Sequence, residues 1–284
     1  MRAVHASWFA ALILVGSLAA CSGGCGNCNV PSFTAAVPTP GPFTTPTPTP
    51  ATPVPGATAT TGPVALSCAQ NAITGQGVPL GTDATFAVLA GSTVTNSGLT
   101  VVTGDLGVSP GTAITGFTGI APGGPGVVVG TIHSADPVAA QAQLDLTNAY
   151  NNAAGRANPI GVPADIGGLV IPPGVYKAPV SLMITGSVTL DGQNNPNSVF
   201  IFQMASTLTT SVNSSVLLIN GANACNVFWQ VGSSATLNTA SVFSGNIFAL
   251  ASISLGTGAT VNGRLLARNG AVTLLSNIVT KTGP

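Results

Sequence analysis

Gly107-Val108-Ser109-Pro110-Gly111 satisfies the G-x-S-x-G pattern, in which a serine on a sharp turn attacks a carbonyl. That chemistry needs a strand before the serine, a helix after it and a histidine to take its proton. Here another strand-like stretch, Thr112-Ala113-Ile114-Thr115, follows, and His133 is the only histidine beyond the first twenty residues. The five residues read better as a turn. His133 precedes a helix start and has no cluster of metal-ligating types around it, which favours a local hydrogen bond over a metal site. Cys25-x-x-Cys28 lacks both a βαβ context for redox work and a histidine to complete a zinc site. Glycoside cleavage needs paired carboxylates, and a β-helix lyase needs a calcium site. Asp105 and Asp191 instead stand apart in turn-like settings. Arg264 and Arg268 read as a solvated edge or as partners for aspartate, and Trp229 as a core or helix-facing aromatic. No catalytic residue, metal or cofactor is expected, and the chain is not read as an enzyme.

What the sequence does repeat is threonine. Ser92 to Asp105 reads STVTNSGLTVVTGD, hydroxyls alternating with valine. The 284-residue chain is only 4% charged, with six acidic residues, all of them Asp, balanced by six basic ones; a usual soluble domain is about 25% charged. Nucleic-acid binding is excluded, because phosphates need a basic patch. A long solvated helical protein is excluded too, for want of charge on a wet face. Gly, Thr, Ser, Val and Asn are strand and turn material.

The elements that must carry these hydroxyls show as a weak repeat of roughly 20 residues, within the range of stacked solenoid coils. VFIFQMASTLTTS from Val199, VFWQVGSSATLNT from Val227, IFALASISLGT from Ile247 and LLARNGAVTLLS from Leu265 align. In their second strands, Leu208, Leu237, Leu255 and Leu274 fall on one face and hydroxyl or amide residues on the other, so the leucines point inward. The first strands are apolar on both faces and need cover outside. One helix, about 136–154, offers it: Asp136 or Ser134 caps it, Pro137 opens it and Gly155 stops it. Val138, Ala142, Leu146, Ala149, Tyr150 and Ala153 form its apolar stripe. The pattern predicts a three-walled β-solenoid with one helix along one wall and the other walls wet.

The N-terminus reads as an address. Residues 1–20 carry a positive start, a short apolar run from Trp8 to Val15 and small residues before Cys21. Leu18-Ala19-Ala20-Cys21 resembles the bacterial lipobox, which implies cleavage before Cys21 and its lipidation. Residues 21–70 form a Thr/Pro-rich stalk in extended geometry, and the domain occupies 71–284. The expected location is extracytoplasmic, lipid-anchored to a bacterial membrane and exposed at the cell surface. Export permits disulfides, and Cys68 is expected to pair with Cys225, clipping the domain's start to a late turn.

From Leu80 to Lys281, FAVLAGSTVTNSGLTVVTGDLGVSPGTAITGF, GTIHSADPVAAQAQLDLTNAYNNAAGR, PPGVYK, NSVFIFQMASTLTT, ACNVFWQVGSSATLNTASVFSGNIFAL, TGATVNG and RLLARNGAVTL resemble the ice-binding-like family known as DUF3494. The resemblance implies a mostly β fold, a discontinuous right-handed β-solenoid of triangular cross-section with one α-helix alongside. It also implies one flat face adsorbing to ice, often with a Thr-Ala/Gly-x-Thr/Asn pattern. Thr112 to Thr115 and Thr257 to Thr260 match that pattern; Thr239-Ala240-Ser241 and Thr103-Gly104-Asp105 match in part. Threonine suits such a face because its methyl favours a caged water shell and its hydroxyl pins that shell. Its stiff χ1 leaves little entropy to lose.

Two columns compete for the face. The one matching the family pattern holds Thr93, Thr95, Thr103, Thr112, Thr115, Thr239, Ser241, Thr257 and Thr260. The other, more regular in alternation, holds Thr207, Thr209, Thr236, Asn238, Ser252, Ser254 and Thr273. The expected partners are an ice crystal surface and, through the lipid, a membrane, with the chain monomeric. The competing reading is a surface adhesion or structural β-solenoid that does not bind ice.

Overall fold

A computed structural model describes residues 77–283. The leader, Cys21, the stalk, the Cys25/Cys28 pair and Cys68 lie outside the described residues. Cys225 is disulfide-bonded to a cysteine outside them.

The described chain is almost all parallel β-structure, coiled so that successive strands feed three walls in turn. One wall stacks Leu182–Ile184, Leu208–Thr210, Ala235–Leu237, Ile253–Leu255, Val272–Leu275, Thr93–Ser97 and Ala113–Thr115, in that spatial order. We call it the hydroxyl wall. The helix wall is built mainly from Asp105–Val108, Phe86–Ala90, Val227–Val231, Phe200–Met204 and Gly174–Lys177. The third wall holds Val127–Val129, Val101–Thr103, Ile278–Thr280, Ser215–Ile219, Ser187–Asp191 and Val170–Ile171. Two long strands, Val242–Ala249 and Thr260–Ala267, run through a corner and serve the third wall with their first halves and the helix wall with their second.

Glycine makes that corner. Gly245 and Gly263 are register partners at φ +117° and +152°. A Cβ on Gly263 would lie 1.9 Å from the Gly245 carbonyl oxygen. The opposite corner, between hydroxyl and third walls, is turned by one left-handed residue per coil: Gly186, Asn213, Ala240, Gly258, Ser276, Gly98 and Gly116. Gly and Asn hold this conformation at little cost.

The coils are not stacked in chain order. Val272–Leu275 pairs with Thr93–Ser97, and Ile278–Thr280 with Val101–Thr103, so the last coil docks on the first. Helix α1 (Pro137–Ala154) makes this possible. At about 1.5 Å per residue it spans ~27 Å and carries the chain back along the wall. Asp136 caps it, its carboxylate accepting the Ala139 N–H at 2.8 Å while His133 Nδ1 lies 2.6 Å from the other oxygen. The Ala139 bond holds the Asp136 carboxyl below its usual range, with His133 adding to it.

The buried stripe of α1 is Ala139, Ala142, Leu146, Ala149 and Ala153. Val138, expected in it, is exposed, because Ala139 takes the inward turn. Gly155 ends the helix at φ −84°, not in the left-handed region. The freed carbonyls of Ala153 and Ala154 go instead to the Gln203 side-chain amide, at 2.9 and 3.2 Å. The stripe covers Phe86, Leu89, Ile201, Phe228, Phe248 and Leu266, the outward side chains of the doubly apolar strands. Between the walls Trp229 stacks on Phe202 at 4.1 Å and donates to the Ser244 carbonyl.

Arg264, read as solvated or paired, is fully buried at the glycine corner. Its guanidinium donates to Asn246 Oδ1 and to the Ala84 carbonyl, and burial lowers its pKa to about 10, against the raising pull of Asp83. Asp83 is buried with neither carboxylate oxygen hydrogen-bonded. Desolvation first, then the nearby Asp145, pushes its carboxyl well above the ordinary range, against the lowering pull of Arg264. Below the unfolded value of 3.8 the folded and unfolded chains both hold this proton. Above it the unfolded chain ionises first, so Asp83 subtracts stability as pH rises through its folded pKa. Asp83→Asn removes that loss. The melting-temperature gain of the variant over the native chain should therefore be larger at pH 8 than at pH 4, and a gain that does not grow with pH counts against the buried carboxyl.

Candidate functional site

The hydroxyl wall is where the polar side chains gather. Its pairings place Met183, Thr209, Thr236, Ser254, Thr273, Thr95 and Thr115 side by side in one row. None of these six pairings carries a register shift. Two residues earlier on each strand stands a second row: Ser181, Thr207, Ser234, Ser252, Ala271, Thr93 and Ala113. The residues between the rows, Leu182, Leu208, Ala235, Ile253, Val272, Val94 and Ile114, are all buried in the core. That alternation holds the hydroxyls outward: slipping a strand by one residue would put leucine in water and threonine in the core.

Strands about 4.8 Å apart and residues two apart along a strand at ~6.7 Å turn the rows into a regular grid, ~29 Å long. Neighbouring hydroxyls tie it together. Thr95 Oγ1 donates to Thr273 Oγ1 at 3.4 Å, and Thr207 Oγ1 to Ser181 Oγ at 3.0 Å. The Ser252 hydroxyl accepts the Ala271 N–H at 3.2 Å. Neither row contains a charged side chain. Asp165 lies beyond one end, bound to the Gly167 and Thr185 N–H groups. Burial raises its carboxyl, but these hydrogen bonds outweigh that and leave it below the usual range.

The two columns read from sequence are thus redistributed. Thr207, Thr209, Thr236, Ser252, Ser254 and Thr273 lie in the grid, with Asn238 at its margin, donating to the Thr210 carbonyl at 2.6 Å. Thr93, Thr95 and Thr115, assigned to the other column, lie in the same grid. Thr112 is exposed just before its strand. The rest of that column is elsewhere. Thr239 and Thr257 are exposed at the corner turn, and Thr103 and Thr260 belong to the third wall.

Ser241 is 1% exposed, so it cannot meet a ligand. It takes the inward place that Ala259, Asn277 and Thr100 take in neighbouring coils. The Thr-x-x-Thr spacing therefore marks two different things: 112–115 is a strand of the grid, whereas 257–260 crosses a corner from one wall to the next. Ser181, Met183 and Ser234 were absent from both columns. Their signal was alternation alone, in Ser181-Leu182-Met183-Ile184 and Ser234-Ala235-Thr236-Leu237.

Ser109 stands in the turn after Asp105–Val108, nearly buried, and the chain goes on to a strand, so no nucleophile elbow is built there. Among the described residues no three His, Cys, Asp or Glu side chains group as metal ligands. What the grid offers is a rigid, uncharged plane of methyls and hydroxyls that can hold many water molecules at once in fixed positions.

The same conclusion about kinship comes from three comparisons. The family described as ice-binding-like matches residues 88–280. An ice-binding protein of Nostoc sp. (strain HG1) is 52% identical over 202 residues, covering 70% of this chain and 72% of the relative. The crystal structure of an ice binding protein from an Antarctic biological consortium superposes with a TM-score of 0.69 at 49% identity, covering 72% of this chain and 90% of that one. That of an ice-binding protein from the Antarctic ascomycete Antarctomyces psychrotrophicus gives 0.69 at 43% identity, covering 73% and 100%. With its three walls, its returning helix and a family match over most of its described length, the chain belongs to the ice-binding-like family.

Proposed function

We propose that the protein adsorbs to ice through the hydroxyl wall, and that it does so without catalysing any reaction. The observation that carries this is the seven-strand row from Met183 to Thr115, in register and free of charge. A charged side chain would orient water around itself, whereas a threonine grid presents a repeat and no single strong site. Each contact is weak, so many must act together, which a rigid parallel sheet allows. The relatives named as ice-binding proteins support the same reading.

Lipidation of Cys21 and the Thr/Pro-rich stalk, at about 3.1 Å per extended residue, would display the wall away from a bacterial membrane. Two tasks suit such display: limiting ice growth and recrystallisation near the cell, and tethering the cell to ice. Cys68 is the cysteine we propose as partner of Cys225. The purified protein should partition into a slowly growing ice hemisphere and slow recrystallisation, while a size-matched control is excluded. Exclusion from the ice, with no effect on grain growth, would leave the adhesive or structural solenoid as the better reading.

A further inference from the structure

The helix wall is broader than the helix that covers it. Helix α1 packs across this wall from Asp105–Val108 to Phe200–Met204, where Gln203 takes its last carbonyls. The next strand, Gly174–Lys177, lies beyond that packing. Its outward Val175 lines an open groove with Val199 and Ile201 of the neighbouring coil, and Arg156 and Asn197 stand beside them.

The groove lies between two fixed points. On one side the Arg156 guanidinium, just past the end of α1, donates to the Gly77 carbonyl. Val78 and Leu80 follow, buried in the same apolar cluster as Ile201. On the other side the turn Ala224–Asn226 holds Cys225. Asn226 Nδ2 donates at 3.4 Å to the carbonyl of Pro196, which stands next to Asn197 of the groove. Asn246 Nδ2 fixes the turn by donating to the Cys225 and Val227 carbonyls at 3.2 and 3.1 Å. Cys225 is disulfide-bonded, and every other cysteine of the chain, at 21, 25, 28 and 68, precedes Gly77. The chain before Gly77 is therefore tied back to Cys225 whichever cysteine is the partner.

With Cys68 as that partner, the stretch between the two points is Ala69-Gln70-Asn71-Ala72-Ile73-Thr74-Gly75-Gln76. Nine steps of extended chain reach ~30 Å, more than enough to cross two strands ~4.8 Å apart. The stretch carries no charge and one large apolar side chain, Ile73, among amides and a threonine. That composition matches a groove of valine and isoleucine with asparagine at its side. We propose that residues 69–76 lie across this groove as a strap, with Ile73 against Val175, Val199 and Ile201 and the far end secured by the Cys68–Cys225 bond. The strap completes the cover of the helix wall where α1 stops. A pull on the N-terminal stalk then enters the solenoid at Cys225 and spares Gly77 and the end of α1. The strap is independent of adsorption to ice, and it rests on Cys68 being the partner of Cys225.

Peptide mass mapping of the non-reduced full chain tests that pairing by itself: a Cys68–Cys225 link is expected, and a link from Cys225 to Cys25 or Cys28 overturns the strap. Hydrogen exchange then reads the cover. In Ile73→Asp, with the disulfide intact, amide exchange over residues 174–177 and 199–202 should rise about tenfold. The melting temperature should fall by ~2–4 °C, and Ile73→Val should match the native chain in both. Reduction of the disulfide in the native chain should raise exchange at the same residues and leave residues 235–237 and 253–255 of the hydroxyl wall unchanged. Unchanged exchange in Ile73→Asp overturns the proposal, as does a rise of equal size on the hydroxyl wall. If Ile73→Asp does not fold, Ile73→Ser takes its place, with a several-fold rise expected. Ice partitioning of Ile73→Asp should equal that of the native chain, so a native chain excluded from ice counts against the hydroxyl wall and not against the strap.

Discussion

Thr273→Tyr is expected to cut thermal hysteresis about tenfold or more while moving the melting temperature of the protein by no more than ~2 °C. Thr273 lies inside its row, beside Ser254 on one strand and Thr95 on the other. Its side chain is exposed, so a larger residue meets no core and costs little stability. A phenol standing several ångströms above the grid, however, holds the flat plane off any flat solid. Because each threonine contributes little alone, lifting the plane removes all the contacts near it together. The controls come from residues that shared a sequence signature with the grid but not its plane. Thr257→Tyr, at the corner, and Thr260→Tyr, on the third wall, should retain most of the hysteresis. Loss in those two and none in Thr273→Tyr would place the adsorbing surface on another wall.

The second large effect is on the fold. Gly263→Ala should lower stability by ~4 kcal/mol or more, which for a domain of this size is a fall in melting temperature of ~10 °C. The added methyl would meet the Gly245 carbonyl oxygen at 1.9 Å, and that oxygen is backbone and cannot rotate away. The φ of +152° adds strain for any residue with a Cβ. Moving the corner apart would also break the eight-residue pairing of the two long strands, the longest among the described residues, and disturb Arg264 beside it. Gly258→Ala is the contrast. It is left-handed too, but a Cβ there meets nothing within 4 Å, so it should cost only ~1 kcal/mol. Equal thermal losses in the two variants would mean that backbone strain, and not the stacked corner, sets the penalty.

What could be read from sequence depended on whether the signal was local. Period-two alternation at Leu208, Leu237, Leu255 and Leu274 placed four inward residues correctly, and all four are buried. The doubly apolar strands called for a cover, and α1 supplies it within a residue of its expected start. The grid was legible only in pieces, because its seven strands come from two distant parts of the chain. Thr95 and Thr273 are 178 residues apart and within hydrogen-bonding reach, and no repeat period relates them. Ser241 misled for a related reason. The Thr239-Ala240-Ser241 stretch turns the corner between two walls, where Ser241 takes the inward position that Ala259 takes one coil on. Of the two readings of Arg264, a solvated edge or a partner for aspartate, the first fails: it fills a buried corner, feeds two uncharged acceptors and feels the charge of Asp83.

The docking of the last coil on the first has a consequence for how the protein is made. In an ordinary solenoid each repeat touches only its neighbours along the chain, and the stack can grow as the chain emerges. Here the strands nearest the C-terminus sit between the early and late coils, and Ile278–Thr280 joins Thr260–Ala267 to Val101–Thr103. In the hydroxyl and third walls the early coils thus gain their partners on that side only once residues 272–280 are made, and a chain lacking those residues would keep unpaired edges in both walls while Phe86–Ala90 still pairs with Thr260–Ala267.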